Sequence, residues 1–239
     1  MGRRNQNWAV SGFVFLLSMV GAAHGAPSQY LNMAPRDQYL AADRSEEIAL
    51  ARSAAAPSIS DNAGVMVLGA RGFETVVRGT NGFVCLVERA WDKPFDDPEF
   101  WNPKVRAPIC LNAAAARTVL PTFLERAEWV LSGLSKSEME RRSKTSSSAT
   151  MTPAAGAMSF MMSKQQYLSD ADGPWYPHVM FFSPKTSPSE WGANLKGSPV
   201  LGAVDPSLFT LFFIPVRKWS DGTLADYGAP ADSSDHHHH

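Results

Sequence analysis

The sequence predicts an α+β fold: a mainly antiparallel sheet of about six strands with helices packed on one face. Three observations predict it. Residues 64–91 hold three short β-prone runs separated by glycine-containing turns. Residues 177–183 (PHVMFFS) and 208–217 (LFTLFFIPVR) are nearly continuous apolar runs, the pattern of strands buried on both sides. Several segments between these strands carry helix-start and helix-stop signals.

Taken in order, residues 37–54 (DQYLAADRSEEIALARSA) read as a helix, with Leu40, Ile48 and Ala49 near one face. Pro57, Ser58, Ser60, Asp61 and Asn62 mark a loop. Residues 65–68 form a strand, 69–72 a turn, and 73–78 a second strand. Asn81-Gly82 suits a type I′ hairpin turn into a third strand, 83–89, which completes an antiparallel meander. Residues 92–108, rich in proline, acids and aromatics, form an ordered surface loop. Asn112 caps a helix to 120, and Pro121 starts another that Gly133 stops. Ser135 and Glu138 form a capping box on a polar helix to about Lys144. Residues 143–157 lack periodicity and read as a flexible loop, 158–168 as a strand entering a turn, and 187–194 as a short helix.

The two ends stand apart from the fold. Arg3 and Arg4 precede an apolar run at 10–20, and Ala23 and Gly25 occupy the −3 and −1 positions of a cleavage site. Residues 1–25 are therefore expected to be a signal peptide, too short in its apolar part to span a bilayer. Asn5-Gln6-Asn7 after the arginines favours general secretion over a twin-arginine route. His236 to His239 read as a purification tag remnant. This leaves 26–235 as a single domain, secreted or periplasmic, with no transmembrane anchor once the leader is removed. A hydrophobic content of 44% and a charged content of 19% are those of a globular chain. A net charge of −1 provides no field to hold nucleic acid. Cys85 and Cys110 are the only cysteines, and export makes a disulfide between them the expected state. Closing that loop is worth about 3 kcal/mol on the chain-entropy model.

Within 26–235, His178 is the sole histidine, which excludes a multi-histidine zinc or copper centre. It follows Asp170, Asp172, Trp175 and Tyr176 in a turn-rich segment leading into an apolar strand. One reading makes His178 a general base oriented by Asp170 or Asp172, with Trp175 and Tyr176 contacting a ligand. The other makes it a buried histidine bonded to backbone. A second cluster sets Asp92, Asp96, Asp97 and Glu99 among Trp91, Phe95, Phe100 and Trp101. Such a loop can bind sugars or cations, or it can be a solvated loop anchored by its aromatics. Asp170-x-Asp172-Gly173 matches part of a calcium loop but lacks the closing glutamate. No G-x-S-x-G elbow, Ser-x-x-Lys pair, P-loop or dinucleotide fingerprint occurs. No cofactor and no metal are expected.

The stretches GFVCLVER (82–89), PFDDPEFWNPK (94–104) and RKWSDGT (217–223) resemble a group of uncharacterised exported bacterial proteins. The resemblance runs over most of the mature chain. It implies bacterial origin and export, and brings no activity. Two functions follow from the residues: a domain binding a small molecule or a protein partner through residues 91–101 and the loop ending at His178, or a hydrolase-like enzyme using His178 with a nearby carboxylate.

Overall fold

The structure is a computed structural model describing residues 29–148, 151–205 and 209–226. The expected signal peptide and histidine tail lie outside the described residues. The first hairpin is built from β1 (Gly64–Gly69) and β2 (Gly72–Val77), joined by the predicted tight turn. β3 (Val84–Glu88) then departs from the expected meander. It pairs with β1, not β2, and runs parallel to it, Gly64 opposite Val84 and Val65 opposite Cys85. The connection crosses the start of β1 at Gly79, where a Cβ would stand 2.1 Å from the Gly64 nitrogen. Only glycine permits that approach. Asn81 forms no type I′ turn; its side chain accepts from the Phe83 N–H and donates to the Ile59 carbonyl, pinning the crossing segment.

The remaining strands are β4 (Ala107–Leu111), β5 (Met158–Met161), β6 (His178–Ser183), β7 (Leu201–Val204) and β8 (Thr210–Pro215). They complete one mixed, eight-stranded sheet in the order β2-β1-β3-β4-β5-β6-β8-β7. The expectation of about six strands is thus corrected to eight, and mainly antiparallel to mixed. β4 begins at Ala107 and Pro108, the end of the expected proline-rich loop, and runs on through Leu111; β7 is a short edge strand.

Helices cover both faces of the sheet, another departure from the expected single face. The physical reason is the period of two in β3. Cys85 and Val87 point to one side, against Ala51 of α1 (Arg44–Arg52) and Ala63, which follows α2 (Pro57–Ser60). Leu86 points to the other side, with Ile109 and Leu111 of β4, Ala115 of α3 (Ala113–Thr118) and Phe123 of α4 (Leu120–Leu131). Asn112 caps α3 through the Ala115 N–H, and Ser135 caps α5 (Lys136–Ser143) through the Glu138 N–H, as their spacing predicts. The predicted helix over 37–54 is divided: a 3₁₀ turn at Arg36–Gln38, then α1, capped by Asp43.

Cys85 and Cys110 are direct cross-strand partners on β3 and β4 and form a disulfide. A third apolar cluster gathers Tyr39, Trp91, Phe100, Trp101 and Met139 around the end of α4. Beside it, Arg89 and Glu47 make a fully enclosed ion pair, with Arg89 Nη2 at 2.9 and 3.0 Å from the two carboxylate oxygens. No helix among the described residues is long and apolar enough to cross a membrane.

Candidate functional site

A cavity lies between the end of β3, the strands β6, β8 and β7, and Phe123 of α4. Its volume is about 530 Å³. This is within the ~300–1,000 Å³ typical of small-molecule sites. Strand alternation determines its walls. On β6, His178, Met180 and Phe182 share the inward face, and on β8, Leu211 and Phe213 face the same space. On β3, Glu88 has the parity of Leu86, so its carboxyl turns into the space between sheet and α4 instead of toward solvent.

Glu88 and Asp92 form the acidic end. Asp92 closes a 3₁₀ turn, Ala90–Asp92, where its Oδ2 accepts from the Arg89 N–H at 3.1 Å. Its Oδ1 is buried without a hydrogen-bond partner among the described residues. Burial pushes Asp92 up to about 7, against the pull of Arg126 and Arg89. Burial also raises Glu88 well above the ordinary carboxylate range, and repulsion from Asp92 adds to the shift. The cation that acts on both carboxyls is Arg126 of α4, which is 2% exposed. Its Nη1 donates to the carbonyls of Trp91, Asp92 and Lys93 at 3.3, 3.2 and 2.8 Å. Its Nη2 lies 3.8 Å from Asp205 Oδ2. Phe95 covers the guanidinium from 4.6 Å, a cation–π contact.

His178 is 1% exposed and lines the cavity. Its Nδ1 lies 2.8 Å from the Tyr176 carbonyl oxygen. A carbonyl only accepts, so the proton sits on Nδ1 and Nε2 is left as an acceptor. Burial lowers the ring to about 4, so it is neutral at pH 7. Trp175 meets it edge-on at 4.6 Å and holds a left-handed backbone, φ 48°. Such a conformation is unusual for a bulky residue and marks a position held by its surroundings.

The predicted site residues divide into three groups. Trp175, Asp172 and His178 line the cavity, with Asp172 at its exposed rim and hydrogen-bonded to Ser169. Tyr176 supplies the carbonyl that orients His178. Asp170 is elsewhere: it accepts from Tyr30, Tyr167, Lys104, Asn102 and Gln29 in a surface cluster. No carboxylate among the described residues hydrogen-bonds the imidazole. In the 91–101 segment, Trp91 and Trp101 are buried in the third cluster, Asp96 is exposed, and Asp97 accepts from the Glu99 N–H. Glu99 accepts the Asp170 N–H at 3.0 Å, so the two predicted loops do meet, outside the cavity.

Glu88, Arg126 and Asp205 escaped the sequence reading. For the first two a signal existed. Glu88 is two residues from Leu86 on a strand, and Arg126 sits three after Phe123 and four before Val130 on a helix. No protein-family model, curated protein or solved structure matches this chain, so the geometry of the cavity is the ground for assigning a function.

Proposed function

We propose that this chain is an exported binding domain that takes a small, apolar-bodied molecule into the cavity between its sheet and α4. The observation that carries this reading is the cavity itself: about 530 Å³, walled by Phe123, Met161, Met180, Phe182, Leu211 and Phe213, with Glu88, Asp92 and His178 among its polar lining. An apolar concavity with few convergent polar groups retains a ligand by excluding water and orients it by its polar end. Binding is favoured over hydrolysis by the state of His178, which is neutral, enclosed and tied to a backbone carbonyl. Among the described residues that line the cavity there is no serine, threonine or cysteine to act as nucleophile. Export is supported by the Cys85–Cys110 disulfide, which persists in oxidising compartments, and by the resemblance to exported bacterial proteins.

The test is fluorescence titration with N-phenyl-1-naphthylamine, an apolar dye that brightens on leaving water. The wild-type protein should bind it saturably at one site. Ala107→Leu and, separately, Ala203→Phe narrow the cavity from opposite walls and should each weaken binding about tenfold or more while thermal melting stays cooperative. Absence of saturable binding, or full binding by both folded variants, overturns the reading.

A further inference from the structure

Four carboxyl groups and one imidazole stand against two cations, Arg89 and Lys93, among the described residues that line the cavity. Asp92 Oδ1 is buried and lacks a donor among the described residues. The Nε2 of His178 is an acceptor by tautomer, because Nδ1 donates to the Tyr176 carbonyl, and the ring is 1% exposed on the cavity wall. Glu88, Asp172 and Asp205 add three more carboxyl groups to the lining.

The two cations of the lining are directed away from it. Arg89 spends its guanidinium on Glu47 and on the carbonyls of Tyr39 and Val87. Lys93 stands 3.7 Å from Asp97 and 3.8 Å from Glu99, drawn to the outer loop. Arg126 lies behind the acidic end, outside the lining; its Nη1 donates to three carbonyls, and its Nε and Nη2 are buried without a hydrogen-bond partner among the described residues, Nη2 standing 3.8 Å from Asp205 Oδ2. On the wall itself a carboxylate or phosphate ligand would face the carboxyl groups of Glu88, Asp92, Asp172 and Asp205. A ligand bringing donors and positive charge would complete the wall.

The aromatic lining favours the same class. Trp175 and Phe213 flank His178 with ring centroids 4.6 and 5.9 Å away, and Phe123, Phe182 and Phe209 line the space beyond. Faces of aromatic rings attract a cation, and more strongly once it has been desolvated.

Resting on the reading of the cavity as a binding site, we propose that its ligand is a hydrophobic cation. The ammonium of an alkyl- or arylalkylamine would meet the carboxyls of Glu88 and Asp92, and its body the aromatic wall. No bond is made or broken. A proton held on the acidic pair leaves as the ammonium arrives, because a positive neighbour favours the ionised carboxylate.

Calorimetric titration of the full chain at pH 7.5 with three probes of one shape tests this: 4-phenylbutylamine, 4-phenylbutanol and 4-phenylbutyrate. The amine should bind about tenfold tighter than the alcohol and about a hundredfold tighter than the carboxylate. Its apparent heat should change with the ionisation heat of the buffer, reporting proton release. Glu88→Gln with Asp92→Asn, near-isosteric changes, should bring the amine to within about twofold of the alcohol. Circular dichroism and naphthylamine binding report whether that variant keeps its fold and cavity; if it does not, the single Asp92→Asn variant carries the same comparison. Equal binding of amine and alcohol, or preference for the carboxylate, overturns the cation while leaving the cavity as a binding site. Failure of all three probes and of the neutral dye overturns both readings.

Discussion

Asp92 and Asp170 are the same side chain in opposite circumstances. Asp170 lies on the surface and receives Tyr30, Tyr167, Lys104, Asn102 and Gln29; Lys104 and the tyrosines hold its carboxyl well below the ordinary range. Asp92 lies at the inner end of the cavity, with one oxygen on a backbone N–H and the other without a hydrogen bond among the described residues, and burial pushes it up to about 7. The difference teaches that the number of carboxylates in a region says little about what the region does. A saturated, hydrated carboxylate is a fastening between loops, whereas an unsaturated, dry one is a group awaiting a partner.

The largest effect should come from breaking charge where water is excluded. Glu47→Ala leaves Arg89 buried and unpaired, and should cost about 3–5 kcal/mol in chemical denaturation. A loss below 1 kcal/mol would mean that water reaches the pair.

His178 should make the protein acid-sensitive. Its folded value, about 4, lies below the ordinary 6.5. The unfolded chain therefore binds the extra proton between those values, and this contribution to stability is complete above pH 6.5 and lost as pH falls toward 4. Relative to His178→Phe, the wild-type protein should lose roughly 2–3 kcal/mol between pH 7 and pH 4. Parallel stability curves for the two proteins would contradict the burial of the ring.

Asp92 runs the other way. Its folded value lies above the ordinary 3.8, so the folded chain keeps a proton that the unfolded chain releases. That contribution is complete below pH 3.8 and is lost as pH rises through 7. Asp92→Asn should accordingly stabilise by about 1–3 kcal/mol at pH 8 and by little at pH 4. The same change at Asp170 sharpens the contrast. Asp170→Asn should lower the melting temperature by only about 1–2 °C, and 1 M salt should remove the difference, as expected of exposed pairs.

Much of this architecture was legible in the chain. The β-prone runs 65–68, 73–78 and 83–89 between glycine turns located β1 to β3, and the apolar runs located β6 and β8. β4 was obscured by Pro108, which argues against a central strand, although Pro108 here stands opposite Val87 within the ladder. β7, with Leu201 and Val204 exposed around Gly202 and Ala203, has little to distinguish it from loop. Asn81-Gly82 looked like a hairpin because its local chemistry suits one. The parallel pairing that replaced it depends on Gly79 passing over Ala63 and Gly64, a contact across some fifteen residues that periodicity does not encode. At the site, the place of His178 at the head of an apolar run made its burial bonded to backbone one of the two readings of the sequence. The left-handed backbone of Trp175 and the approach of Asp205 to Arg126 are products of tertiary packing.

The most direct measurement is a carboxyl-carbon NMR titration of the ligand-free chain labelled at aspartate. Asp92 should titrate with a midpoint near 7 while Asp170 remains ionised to well below the ordinary carboxylate range. An Asp92 midpoint near 3.8 would show its carboxyl to be hydrated like any surface acid, and the cavity would lose the dry acidic end on which its proposed role depends.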